Sequence, residues 1–150
     1  MPTITPFLWF DSQADEAMNY YLSIFKNSKV LSVNRADGKV LTVTFELEGQ
    51  KFMALNGGPH FKFTEAISLF VNCETQQEVD EMWEKLSQGG EKGRCGWLKD
   101  RFGLWWQIIP SALGKLMNDP DPRKSQAVFQ AMMKMNKIVI RDLERAYAGA

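Results

Sequence analysis

The feature that most restricts the fold is an order of elements that occurs twice: one strand, one amphipathic helix and three strands, repeated roughly sixty residues later. Thr5 to Phe10 alternates as a strand, with Leu8 and Phe10 on one face and Thr5, Phe7 and Trp9 on the other. Ser12 and Asp15 have capping-box spacing, and Ala14, Ala17, Met18, Tyr21 and Phe25 follow as one helical stripe. Lys29 to Asn34 and Val40 to Glu48 read as strands joined by the hairpin signal Ala36-Asp37-Gly38. Glu48-Gly49-Gln50 turns into a strand over Lys51 to Asn56, and Gly57-Gly58-Pro59 opens a loop carrying His60.

The second pass begins with a strand over Ile67 to Asn72, in which Ile67, Leu69 and Val71 share a face. Thr75 and Glu78 form a capping box for a helix with Val79, Met82, Trp83 and Leu86 on its apolar stripe, stopped by Gly89-Gly90. A short strand near Glu91 to Cys95, another over Trp97 to Lys99, the turn Asp100 to Gly103 and a strand over Leu104 to Ile109 complete it, and Pro110 ends the last strand. In that strand Trp105, Gln107 and Ile109 oppose Leu104, Trp106 and Ile108.

The expectation is an α+β chain of one domain: module one over 1–62, module two over 63–110, and a C-terminal helical tail over 111–150. In the tail, Ser111 to Met117, Ser125 to Met135 and Arg141 to Tyr147 read as helices, Ile138 to Ile140 as extended, and Asp119-Pro120-Asp121-Pro122 as a linker. That linker lacks the glycine and terminal glutamate of a calcium-binding EF-hand loop. Met132, Met133 and Met135 either pack the tail on the body or serve a subunit contact.

Eighteen basic and eighteen acidic residues in 150 give a net charge of zero, so neither nucleic acid nor an anionic membrane is an implied partner. No apolar stretch reaches the length of a membrane span, and the N-terminus lacks signal-peptide character, so the cytoplasm is the expected compartment. Cys73 and Cys95 read as reduced, inert thiols. The one histidine, His60, leaves little for Ser-His, Cys-His or zinc chemistry.

Several motifs carry a family resemblance: Pro6-Phe7-Leu8-Trp9-Phe10-Asp11, the Ala14 to Phe25 helix, Phe52 to Gly58, Ile67-Ser68-Leu69, Val79 to Trp83, Asp100-Arg101-Phe102-Gly103 with Trp106-Gln107, and Lys134 to Ile138. Together they resemble the vicinal oxygen chelate (glyoxalase/bleomycin resistance/dioxygenase) superfamily, and within it the PhnB-like branch labelled as a 3-demethylubiquinone-9 3-methyltransferase domain. The resemblance implies two βαβββ modules whose mixed sheets curl around a central cavity, often in a homodimer. Metal-dependent members place ligands on the first and fourth strands of each module, which match Thr5, Phe52, Ala66 and Gln107 here. Only Gln107 keeps a ligand-capable amide, so the expectation is no metal and no cofactor.

Matching strand to strand, the resemblance also turns Phe7, Trp9, Ala54, Asn56, Ser68, Phe70, Asn72 and Trp105 inward, a wall without carboxylate or lysine. The expected ligand-binding set is Phe7, Trp9, Phe52, Asn56, Ser68, Phe70, Trp105 and Gln107, with His60 as a mouth or gate residue or simply an exposed loop histidine. Gln107 either orients a ligand oxygen or is a buried amide bonded to Asn56 or backbone, and Trp105 either stacks on a ligand or plugs the cavity. Trp83 and Trp106 read as core. Three functions remain: binding of a flat apolar or quinone-like molecule, methyl transfer to a demethylubiquinone-like phenol, or a structural dimer with a filled cavity. Against the second stands the absence of a glycine-rich strand-to-helix loop for S-adenosylmethionine.

Overall fold

The computed structural model describes every residue from Met1 to Ala150 and divides into two compact units, Met1–Phe63 and Thr64–Ala150. The architecture is α+β, with two four-stranded mixed sheets and five helices.

The first unit contains β1 (Phe7–Phe10), α1 (Ala14–Ile24), β2 (Ser28–Ala36), β3 (Lys39–Leu47) and β4 (Gln50–Asn56), in sheet order β1-β4-β3-β2. β1 runs parallel to β4, and the other pairs are antiparallel. Leu8, Phe10, Val43, Phe45, Leu47, Phe52 and Ala54 are all buried on the side that α1 covers with Ala14, Ala17, Met18, Tyr21 and Ile24. Phe45 stacks on Phe52 at 5.6 Å, and Tyr21 lies over Phe45 at 6.5 Å. Each such side chain taken out of water contributes about 1.5–3 kcal/mol, which is what holds the helix to the sheet.

Two expectations for this unit are corrected. Phe52, Ala54 and Asn56 do not share a face with Phe7 and Trp9. The two-residue turn Glu48-Gly49, both residues at positive φ, pairs Leu47 with Gln50 and therefore Phe45 with Phe52, which turns Phe52 toward the helix. Met53 and Leu55 face the other way, beside Phe7 and Trp9. The second correction concerns the start of α1. Gln13 is its N-cap and makes no side-chain bond. The first helical N–H, that of Ala14, instead donates to Asn56 Oδ1 at 2.7 Å, while Asn56 Nδ2 donates to the Val40 carbonyl.

The second unit contains β5 (Leu69–Cys73), α2 (Gln76–Ser87), β6 (Glu91–Lys92), β7 (Trp97–Lys99), β8 (Trp105–Pro110), α3 (Ser111–Met117), α4 (Pro122–Met133) and α5 (Ile140–Ala148). Its sheet order is β5-β8-β7-β6, the same pattern as the first, with β5 parallel to β8. Ile67 lies outside β5 and is exposed. The capping box is present in part: Thr75 Oγ1 accepts from Glu78 N–H at 3.1 Å, and the Glu78 carboxylate accepts from the N–H of Glu74. Val79, Trp83 and Leu86 pack α2 onto a face that includes Leu98, Trp106 and Ile108.

The tail helix α4 starts three residues earlier than expected. Asp121 Oδ1 caps it by accepting from Arg123 N–H, and Pro122 fills the first helical position, where no N–H is required. Ile109 of β8 forms a core cluster with Leu113, Val128, Ile138 and Leu143, and Met132 and Met135 pack against it. Met133 stays exposed. No helix is long and apolar enough to cross a membrane.

Candidate functional site

The site begins with a hairpin. Asp100 is 1% exposed, and its carboxylate collects three donors: the Phe102 and Leu104 N–H groups on Oδ1 at 2.9 and 3.0 Å, and the Trp106 indole N–H on Oδ2 at 2.9 Å. Gly103, at φ +92, makes the turn possible. The hairpin register then pairs Lys99 with Trp105, Leu98 with Trp106 and Trp97 with Gln107. With Leu98 and Trp106 committed to the helix side, Trp97, Lys99, Trp105 and Gln107 occupy the opposite face.

On that face Gln107 is encircled. Phe70 is its register partner on β5, Trp97 its partner on β7, and Trp105 and Ile109 lie before and after it on β8. Phe70 is 58% exposed and Trp105 is partly exposed. Gln107 Nε2 donates to Ser68 Oγ at 2.9 Å, so the hydroxyl fixes one amide hydrogen while Oε1 and the second hydrogen remain. Asn56, within the first unit, gives its Oδ1 to the Ala14 N–H and its Nδ2 hydrogen to the Val40 carbonyl. Lys99 and Trp97 were missed as members of this face. Lys99 Nζ lies 5.7 Å from the centre of the Trp105 ring and 3.5 Å from Glu91, so a cation belongs to a wall expected to have none. Counting back across the Asp100–Gly103 turn from Trp105 was the signal that could have found it. Asn72 turns from this face to Ser111 and Glu74, with its Nδ2 at 2.9 Å from Ser111 Oγ.

The corresponding face of the first unit carries Phe7, Trp9, Met53 and Leu55. Phe7 pairs with Met53 as Phe70 pairs with Gln107, so Met53 is the counterpart of Gln107. Trp9 is anchored rather than free: its indole N–H donates to the Gly58 carbonyl at 2.9 Å, and Phe61 meets its ring edge-on at 4.9 Å. A Cβ on Gly57 would stand 2.4 Å from the Trp9 ring, so only glycine permits this contact. His60 is exposed in the same loop.

These residues do not fit a divalent metal. Phe52 faces α1, Ala66 lies in the loop before β5, and the register-matched pair is a thioether and an amide, Met53 and Gln107. A borderline or hard divalent ion calls for several imidazole, thiolate or carboxylate donors, and no group of three or more His, Cys, Asp or Glu side chains converges anywhere in the chain. Cys73 is no nucleophile either. Burial, with help from the charges of Glu78 and Glu74, pushes its thiol up to about 11.

A family described as 3-demethylubiquinone-9 3-methyltransferase matches residues 2–109. No curated protein matches. Among solved structures, a putative 3-demethylubiquinone-9 3-methyltransferase, a PhnB protein from Bacillus cereus, is 38% identical, with a TM-score of 0.69, covering 73% of this chain and all of the other. A Pseudomonas aeruginosa protein is 19% identical, with a TM-score of 0.62, covering 73% of this chain and 98% of its own. The genomically encoded fosfomycin resistance protein FosX of Listeria monocytogenes, solved with Mn(II) and sulfate, is 13% identical, with a TM-score of 0.52 and coverage of 73% and 90%. The last two share the fold.

Proposed function

Because the chain belongs to the 3-demethylubiquinone-9 3-methyltransferase family of PhnB-like vicinal oxygen chelate proteins, we propose that it binds a flat, mostly apolar small molecule and that its metal site has been lost. The observation that carries this reading is the single amide of Gln107, set between Phe70, Trp97 and Trp105 and oriented by Ser68. Aromatic faces supply non-specific area for a planar molecule, and one oriented amide supplies the hydrogen bond that selects a hydroxyl or carbonyl oxygen on it. General acid-base catalysis has poor support there, since the ionisable groups on the face, Lys99 and its register partner Glu91, are tied to each other, with Lys99 also over the Trp105 ring. The donors at the family's metal positions support loss of the ion.

The test is calorimetric titration of 1-naphthol, a flat aromatic alcohol. Gln107→Leu should weaken binding by about 3–10-fold, the equivalent of one net hydrogen bond. Phe70→Ala should weaken it at least as much by removing one aromatic wall. Unchanged affinity in both variants overturns the proposal.

The family description favours a second reading, methyl transfer to a demethylubiquinone-like phenol on the same face. Saturable binding of S-adenosylmethionine would select it over simple binding.

A further inference from the structure

We infer that tail residues 133–140 form a strap that limits the size of ligand accepted beside Gln107, an inference that rests on the binding reading above. The family match ends at residue 109, one residue before β8 ends and two before the tail begins. The tail therefore lies beyond the span that the family model matches, and where it docks is informative.

It docks on the Gln107 face. Ile109 stands on that face two residues beyond Gln107, and its 7% exposure results from the cluster it makes with Ile138, Val128, Leu143, Met132 and Met135. Its counterpart in the first unit, Leu55, is only partly buried. Two residues of extended chain span about 7 Å, so an aromatic ring hydrogen-bonded to Gln107 has little more than its own width before it meets this cluster.

The strap takes the place of missing sheet. The hairpin strands β2 and β3 have nine residues each, whereas their counterparts β6 and β7 have two and three. Where that short hairpin stops, the N–H groups of Cys95 and Gly96 donate to the carbonyls of Met135 and Asn136, both at 2.8 Å. Gly96 is required for this fit, since a Cβ there would stand 2.7 Å from Ile109 Cδ1 and 3.1 Å from Ile138 Cγ1.

Further fastenings lie away from the face. The Gln76 side chain clamps the strap at both ends of its amide, donating to the Ile138 carbonyl at 3.0 Å and accepting from Ile140 N–H at 2.8 Å. Lys137 pairs with Asp80 at 2.9 Å, and Arg94 donates to the Met133 carbonyl. Gln76 belongs to α2 and not to the Gln107 face, so replacing it loosens the strap without altering the wall that would hold the ligand.

The experiment titrates phenol, 1-naphthol and 9-phenanthrol, with one, two and three fused rings, into the full chain, Gln76→Ala and Ile138→Ala. Hydrogen exchange at the Cys95 and Gly96 amides reports release of the strap in Gln76→Ala. Ile138→Ala shortens the strap's side chain whether or not the strap is released. The wild-type chain should bind 9-phenanthrol about tenfold or more weakly than 1-naphthol. That gap should close at least several-fold in one of the variants, while phenol affinity stays the same. A wild-type chain that takes the three-ring alcohol as tightly as the two-ring one, or a gap that neither variant moves, overturns the strap and leaves the binding reading standing. No binding of any of the three by the wild-type chain overturns both.

Discussion

Replacing Asp100 tests the foundation of the candidate site, because that carboxylate sets the register in which Gln107 reaches its face. Asp100→Ala strands three donors: the Leu104 N–H and the Trp106 indole N–H, both buried, and the Phe102 N–H, partly buried. A buried donor left without a partner costs about 1–3 kcal/mol, so the loss should be roughly 3–5 kcal/mol, a large share of the 5–15 kcal/mol typical of a domain. Asp100→Asn separates the terms. Its oxygen still serves the two backbone donors, but its NH2 then opposes the Trp106 N–H, for a loss of about 1–3 kcal/mol. In the Asp100→Asn background, Trp106→Phe removes the opposed donor, so it should cost less than the same change in the wild-type chain. Urea unfolding followed by tryptophan fluorescence measures all of these proteins, and a double-mutant cycle isolates the pair. If both Asp100 variants lose less than about 0.5 kcal/mol, within ordinary surface-substitution range, the carboxylate does not hold the hairpin and the reasoning fails.

Two other outcomes follow from features outside the hairpin. Cys73 is raised from 9.0 to about 11 in the folded chain. The thiol therefore ionises first in the unfolded state, so its contribution is fully present below about pH 9 and is lost as pH rises toward 11, by about 2–3 kcal/mol. Urea stability of Cys73→Ala should lack this part of the alkaline decline; parallel pH profiles for the two proteins would refute it. The strand β2 is a nine-residue sheet edge on which Val30, Leu31 and Val33 are each more than 40% exposed, and such an edge invites pairing with a second copy. Sedimentation velocity should show a dimer that Leu31→Lys weakens, and a wild-type monomer at micromolar concentration would count against it.

Element order was legible because period-two and period-3.6 patterns alternate cleanly and the turns carry their own chemistry, as at Asp37-Gly38 and Asp100 to Gly103. The face assignment of β4 was not. Phe52, Met53, Ala54 and Leu55 are all apolar, so alternation gives no parity there, and only the pairing of Phe45 with Phe52 across the Glu48-Gly49 turn decides it. On β8 the same ambiguity is broken by Gln107, one polar side chain among large apolar ones. The start of α4 is misplaced for a different reason: Asp121-Pro122 reads as a break, although aspartate followed by proline is also a cap and a first helical residue. The seating of the tail on Ile109 depends on side-chain and backbone bonds between segments some forty to sixty residues apart, and no local pattern encodes these.

The cap that Asn56 provides has a consequence for the order in which the first unit can assemble. The start of α2 is served from within its own neighbourhood by Thr75 and Glu78, so the cap of that helix needs no distant strand. The side-chain acceptor for the first N–H of α1 comes from a residue forty-two positions later, at the end of the last strand of its unit. A chain emerging residue by residue therefore exposes the whole β2–β3 hairpin before α1 gains its terminal partner, and the closure that completes the helix is the same event that completes the sheet. The two halves share one plan, yet one helix is capped from its own neighbourhood and the other by the last strand of its unit.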